Sequence, residues 1–413
     1  MSPAALPPRA VERIVHHVYE SCLFRIEAPG CRTHFCSPAA PCKVARDLLS
    51  PLANLKLVAV SWNAAVHAFQ QTKYPRFFGD VEDGYYPHAW HINTRMRKAV
   101  LLARYRVFRT FTSEDGNRGV YVAHDFGGAG GCAAARAVVL KAWVSATDFE
   151  CQREIAAYRA LGACPGVPAP RIADARHDPL CDVHVLVLPK LGPTLEDLRA
   201  ALPDHRFTPR MVLTVAIEML DRYRDIHARG VVHSGIKPGN ICLAPQNSAD
   251  APSALYAIDF GFSTALAANA QLPSAHRIDA VGNRRFMSVF AHHGISQSQR
   301  DDLESLAYLL SYLFHARLPW ASDGKPRSPR AQQQHAPHVW RIKLATPAAV
   351  LFRDMDACFL EFWHDVKGLA YAEVPDYDRM RARFAKCLEM QDGDGKAPLN
   401  WWDLWEEKAR GRK

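Results

Sequence analysis

The chain has 413 residues, 48% of them hydrophobic and 23% charged, which gives enough apolar material to bury a core in about two or three domains. Its formal net charge of +9 favours acidic partners such as phosphoproteins, acidic peptides or nucleic acid, although an inert basic surface explains that charge equally well. Eleven cysteines, an odd number scattered from Cys22 to Cys387, argue against a disulfide framework, and no run is apolar enough to span a bilayer.

The first 95 or so residues hold two helix-like segments. In LPPRAVERIVHHVYESCLF, Val11, Ile14, Val15 and Val18 fall at helical spacing. In RDLLSPLANLKLVAVSWNAAVHAFQQ, Leu52, Leu55, Val58 and Val60 are apolar and Trp62 follows. Between them APGCRTHFCSPAAPC reads as loop, and DVEDGYYPHAWHINT as an irregular linker. The sequence opens MSPAALPPRAVERIVHH, without a basic stretch leading into an apolar one, so no secretory leader is expected.

From about residue 100 the pattern changes. YRVFRTFTS, GVYVAHDF, ARAVVLKAW and DVHVLVLP are rich in β-branched and aromatic residues and read as strands. SATDFECQREIAAYRALG reads as a helix capped by Ser145. After Gly192 helices dominate: LEDLRAAL, MVLTVAIEMLDRYRDIHARG, RDDLESLAYLLSYLF and CFLEFWHDVKGL. A strand-rich half followed by a helix-rich half predicts a two-lobed α+β architecture. At the end, LNWWDLWEEKARGRK puts Trp401, Leu404 and Trp405 on one helix face, suited to docking on the helical half.

Transfer of a phosphoryl group is largely positioning and charge neutralisation. It needs a lysine on the phosphates, an acid holding that lysine, two hard oxygen ligands for magnesium and a base near the attacking hydroxyl. The chain offers these in order. Lys141 lies in the strand AVVLKAW and Glu154 on the helix that follows; alone, such a pair is more often a surface ion pair of little consequence. VVHSGIKPGN then spans residues 231–240, and AIDFGFST contains Asp259, Phe260 and Gly261. Strand lysine, helix glutamate, H-x-x-x-K-P-x-N and D-F-G together match the protein-kinase signature set.

Several segments narrow the resemblance to the casein kinase I family, as against its sister group, the vaccinia-related kinases. LVLPKLGPTLEDL (186–198) resembles that family's hinge, and GISQSQRDDLESLAYLLSYLFHARLPW (294–320) is closer still. KLATPAAVLF and PDYDRMRARF resemble its C-terminal helices, so the likeness covers about residues 103–390. It implies a two-lobed protein-kinase fold, with a β-rich N-lobe and a helical C-lobe, over residues 100–393. A small helical domain (1–95) would precede it, and a C-terminal helix with a basic tail (394–413) would follow.

By that resemblance Lys141 would bind the ATP phosphates and pair with Glu154. Leu188 would be the gatekeeper, and the backbone of Pro189 and Leu191 would meet adenine; Pro189 gives up a donor but keeps its carbonyl. Lys237 would lie near the γ-phosphate, and Asn240 and Asp259 would hold Mg²⁺. Arg285, in GNRRFMS, corresponds to an arginine that recognises acidic or phosphorylated protein substrates, and Asp302 to an aspartate that braces the catalytic loop. No nucleic-acid partner and no membrane association is implied, and the expected location is intracellular, in the cytoplasm or nucleus.

Three departures fall where the chemistry is done. The family's catalytic loop reads H-R-D-x-K-P-x-N; here it is His233-Ser234-Gly235-Ile236-Lys237-Pro238-Gly239-Asn240, with Gly235 at the position of the base. Glycine can neither accept the hydroxyl proton nor orient the nucleophile, and general-base assistance is worth roughly 10² to 10⁴ in rate. In FTSEDGNRGVYV, Gly116 and Gly119 remain, but Ser113, Asp115 and Arg118 stand near expected glycines, and Glu114 and Asp115 bring negative charge close to phosphate. Asn283 replaces a threonine that bonds the catalytic aspartate. This distribution predicts a pseudokinase that keeps a weakened ATP and Mg²⁺ site. The alternative is an active serine/threonine kinase with an unusual base.

The two N-terminal segments resemble an F-box through Leu6, Pro7, Ile14, Leu55, Leu57, Val58, Val60, Ser61 and Trp62. That resemblance implies docking on a Skp-type adaptor of a cullin ubiquitin ligase. An insertion of roughly two dozen residues separates the halves, and a plain helical cap on the N-lobe is the other reading. Cys31, His34, Cys36 and Cys42 in the insertion fit no common zinc spacing, so free thiols are the better expectation.

Overall fold

The computed structural model describes residues 100–101, 104–112, 118–125, 136–143, 149–178, 183–246, 254–266, 283–321, 339–392 and 399–410. The F-box-like segments, the cysteine-rich insertion, Ser145 and residues 113–117 of the expected phosphate-covering loop lie outside these. The described residues fall into two compact units.

The first unit is built on β1 (Val100–Leu101), β2 (Tyr105–Thr112), β3 (Arg118–Asp125) and β4 (Arg136–Trp143), adjacent in that order. β2 and β3 pair antiparallel from Tyr105↔Asp125 to Thr112↔Val120, with irregularities between Val107 and Arg109 and between Thr110 and Thr112. Alternation decides what is buried: Tyr105 and Val107 on β2, and Val138, Leu140 and Ala142 on β4, are all core residues. Arg104 closes the β2 end with a two-pronged bond to the buried Asp125, at 2.6 and 3.1 Å.

The second unit starts with α1 (Phe149–Leu161) and the neighbouring strands β5 (Arg171–Asp178) and β6 (Val183–Pro189). It continues with α2 (Leu195–Ala201), α3 (Pro209–Ala228), the short strands β7 (Val231–Val232), β8 (Ile241–Leu243), β9 (Leu255–Ala257) and β10 (Thr264–Ala265), and α4 (Gln299–His315). Then come α5 (Ala348–Leu351), α6 (Ala357–Gly368), α7 (Tyr377–Asp392) and α8 (Trp401–Arg410). The α+β order expected from the sequence is therefore present, strands first and helices after.

Local chemistry sets the helix starts. Thr194 and Asp197 form a reciprocal capping box on α2, and at the start of α4 the Ser298 N–H donates to the Asp301 carboxylate at 2.8 Å. α3 begins with Pro209 after Thr208, whose hydroxyl accepts the Met211 N–H. The core of the unit is α4. Its residues Asp301 to Leu313 are all buried, and it packs on α3 and α6. None of the described helices is long and apolar enough to cross a membrane.

α8 adds a residue to the face expected for the C-terminal helix. Trp401 is fully buried as expected, and its indole N–H donates to Glu218 at 3.2 Å. A second anchor is Trp402, whose indole N–H reaches the Ala244 carbonyl at 3.0 Å; Trp402, Leu404 and Trp405 are all half-buried. Two adjacent tryptophans suffice because one enters the core and the other lies along the surface beside Gly192, where a Cβ would come within 2.7 Å of the Trp402 ring.

Candidate functional site

The site is built around the segment 231–240, between two pairs of short strands. β7 pairs with β10 through Val232↔Thr264 and Val231↔Ala265, and β8 pairs with β9 through Ile241↔Ala257. The two hairpin-like pairs hold the segments 233–240 and 258–263 side by side. This brings Gly235, Lys237, Asn240 and Asp259 together. Ile258 N–H donates to the Asn240 carbonyl at 3.0 Å, and the Lys237 ammonium lies 3.9 Å from the Asp259 carboxylate.

Gly235 occupies a fixed place. Its N–H donates to His233 Nδ1 at 3.1 Å, and its carbonyl accepts from the Asn240 side-chain amide at 2.8 Å. With Nδ1 accepting, the proton of His233 sits on Nε2, which donates to the Ile258 carbonyl at 3.0 Å. Burial lowers the pKa of His233, which keeps the ring neutral, and the ring lies edge-on to Phe260 at 4.7 Å. Phe260 in turn meets Tyr158 of α1 at 5.2 Å. A Cβ built on Gly235 would lie 3.2 Å from His233 Cε1, so an aspartate fits there if the ring yields slightly.

Asp302, fully buried on α4, braces this loop. Its carboxylate accepts the N–H groups of His233 at 2.7 Å and Ser234 at 2.8 Å, and His227 Nε2 donates to it at 2.9 Å. The other nitrogen of His227 accepts from the Tyr377 hydroxyl. These bonds hold Ser234 in the left-handed region, at φ 57°, and the neighbouring Asp259 is also left-handed at φ 70°. A non-glycine residue adopts that backbone only where its surroundings hold it.

The donor set suits a hard cation with phosphate oxygens. The Asn240 amide nitrogen is committed to Gly235, which leaves its carbonyl oxygen as the group to turn toward a metal beside the Asp259 carboxylate. Asn240 is buried and Asp259 is partly exposed, as expected for a site open on one side.

The remaining expected residues lie as follows. Lys141 is half-buried on β4, in the first unit, and Glu154 is buried on α1, in the second. Leu188 is buried near the end of β6, Pro189 is exposed and Leu191 half-buried. Asn283 does not serve the base position. Its side-chain oxygen accepts the Arg285 N–H at 2.9 Å and its carbonyl accepts from Phe286 and Met287, so it makes the turn that presents Arg285.

Arg285 is exposed, and the segment carrying it is pinned from below. The Trp320 indole donates to the Arg285 carbonyl at 2.8 Å and Lys343 donates to the Met287 carbonyl at 2.6 Å. Ser288 donates to Asp301 at 2.5 Å, and Val289 N–H to Glu304 at 2.9 Å. Lys343 is buried 4.8 Å from the centre of the Tyr308 ring, and burial pushes its pKa down to about 7. Sequence reasoning gave no role to Lys343, Trp320 or Tyr158. Lys343 lies in the helical residues 339–345, and in the sequence KLATPAAVLF a lysine looks like surface.

No protein-family model matches the chain. Among curated proteins it is similar to casein kinase I homolog 1 of Schizosaccharomyces pombe. The two are 30% identical over 253 residues, which cover 60% of this chain and 54% of the relative. The chain thus spans about half the length of the curated relative it matches. Together with the antiparallel strands, the helical second unit and the assembled 233–240 and 259–261 segments, this similarity supports a casein kinase I-like protein-kinase domain.

Proposed function

We propose that residues 100–393 form a casein kinase I-like domain that retains groups for ATP and Mg²⁺ but is catalytically impaired, and that it serves as a nucleotide-binding scaffold or recognition module for acidic or phosphorylated protein segments. The observation that carries this is Gly235. The base position has no side chain, while the groups around it, His233, Lys237, Asn240, Asp259 and Asp302, stand in an ordered network. Lys237 and the oxygen donors of Asn240 and Asp259 would orient and neutralise phosphate, and the bound metal would supply charge compensation. Proton removal from an attacking hydroxyl has no carboxylate assigned to it.

A nucleotide titration followed by melting temperature tests the binding part. ATP with magnesium should raise the melting temperature of the parent and not that of Asp259→Asn. An equal rise in both proteins would sink the assignment of the metal corner.

The second reading is an active serine/threonine kinase, favoured by the ordered positions of Lys237, Asn240 and Asp259 despite the loss of the base. For residues 1–95 we propose an F-box that docks a Skp-type adaptor and a cullin ubiquitin ligase, which would make the kinase-like domain the substrate receptor. A pull-down from cells that recovers neither adaptor nor cullin would remove that role and leave the kinase-like one untouched.

A further inference from the structure

α6 and α7 run antiparallel, and printed along their seam is a register fixed by side-chain bonds. Gln391 donates to the Asp356 carboxylate at 2.6 Å, Arg383 pairs with Glu361 at 2.7 Å and Arg379 with Asp365 at 3.2 Å. Inside this rim the Phe384 ring meets Phe359 at 5.0 Å and Phe362 at 5.4 Å between centres. Cys358 falls between Asp356 and Phe359, and Cys387 between Phe384 and Gln391, so the same register sets these two cysteines opposite each other. Both are free thiols, and their side chains are hydrogen-bonded to one another. A disulfide needs side chains that already point at each other, and this pair meets that condition without movement of the helices.

The two thiols differ in access. Cys358 is 2% exposed, and burial together with the bond to Cys387 raises its pKa, so on its own it is an inert thiol. Cys387 is half-buried and reachable from solvent. One cysteine is thus placed to meet an outside reagent and the other to finish the reaction from within. Because α6 packs on α4 and α7 packs on α3, a bond between the cysteines ties two helix layers together. Closing the loop between them also restrains the unfolded chain.

We propose that Cys358 and Cys387 are a redox clamp, closed by a low-molecular-weight disulfide to give an intrachain disulfide between α6 and α7, and opened again by a dithiol. The Cys387 thiolate attacks one sulfur of the small disulfide, which forms a mixed disulfide and releases one small thiol. Cys358 then attacks Cys387 Sγ, which forms the protein disulfide and releases the second small thiol. The two protons lost by the cysteines end on the two small thiols, and the small disulfide takes up the two electrons. The clamp does not depend on whether the domain transfers phosphate.

The test holds the full chain in native buffer with glutathione and glutathione disulfide at set ratios, blocks the remaining thiols by alkylation and reads the unreduced tryptic peptides by mass spectrometry. Cleavage after Arg353, Lys367, Lys386 and Lys396 puts the two cysteines on peptides 354–367 and 387–396. The parent should yield these two peptides linked, and dithiothreitol should part them. Cys358→Ser should stop with glutathione on Cys387, and in Cys387→Ser the Cys358 thiol should stay unmodified. The oxidised parent should melt several degrees above the reduced one, whereas Cys387→Ser should show no such rise. Should a serine variant fail to melt cooperatively, the parent alone decides: the link should dominate in buffer and give way to mixed pairings among the eleven cysteines in denaturing urea. A native parent in which Cys387 carries glutathione beside a free Cys358, or in which neither reacts, overturns the clamp. So does a link formed only in urea, or a linked protein that melts no higher than the reduced one.

Discussion

The side-chain amide of Asn240 donates to the carbonyl of Gly235 at 2.8 Å, closing the turn through Lys237 and Pro238. The bond uses only the backbone of residue 235. On the proposed reading, a missing carboxylate at residue 235 leaves the arrangement of Asn240 and Asp259 in place, so proton removal and phosphate positioning should be separable. Restoring one side chain should restore one function.

The brace behind that loop carries stability as well as geometry. Asp302 accepts three bonds in a fully buried place, so Asp302→Ala leaves His227 and two backbone N–H groups without their acceptor. Removing one partner of a buried charged network costs about 3 kcal/mol or more. Urea denaturation should show a loss of that size. A loss below about 1 kcal/mol would contradict the assignment of Asp302 as the structural centre of the loop.

The C-terminal helix should be part of the cooperative unit. Trp401 is fully buried against Phe207, at 6.1 Å between ring centres. Trp401→Ala should destabilise by about 3 kcal/mol, the usual cost of emptying so large a core site. Its partner Glu218 should give a pH signature. Burial pushes the Glu218 carboxyl up to about 7, against the hydrogen bonds from Trp401 and the Leu255 N–H and the charge of Arg222, which lower it. A folded-state pKa raised above the unfolded value means stability that is full below about 4.5 and is lost as pH rises through about 7. Urea midpoints at pH 5 and pH 8 should fall in the parent and fall less in Glu218→Gln. Equal changes in the two proteins would show that Glu218 is not buried as described.

Lys343 should act in the opposite direction. Burial lowers its pKa to about 7, and Glu304 only partly offsets this. A depressed folded-state pKa gives stability that is present above about 10.5 and is lost as pH falls through about 7. Between pH 7 and pH 9.5 the parent should therefore gain more stability than Lys343→Met. Because Lys343 donates to the Met287 carbonyl, the variant should also exchange the amide protons of residues 285–289 faster than the parent. Unchanged exchange would remove Lys343 as a positioning residue for the Arg285 segment.

The strands rich in β-branched and aromatic residues, such as YRVFRTFT and VHVLVLP, were legible in the sequence, and so were the long helices α3 and α4. β5 was not, because RIADARHD puts charged residues where a strand pattern needs apolar ones. The residues of the catalytic segment were legible because they are contiguous, and their spacing is itself the signal. Lys343, Trp320 and Tyr158 were not. They act through contacts made by packing between separate segments, and no local spacing reports such contacts. Trp402 was overlooked because its neighbours Trp401, Leu404 and Trp405 share a helical face, whereas Trp402 is held from the side by its bond to the Ala244 carbonyl.

The most direct measurement is phosphoryl transfer from labelled ATP with magnesium to an acidic casein-like substrate, comparing the parent with Gly235→Asp and Asp259→Asn. The parent should stay at or near background, Gly235→Asp should be faster by roughly 10² to 10⁴, and Asp259→Asn should be silent. Robust transfer by the parent that vanishes in Asp259→Asn would contradict it and establish a working kinase with another base.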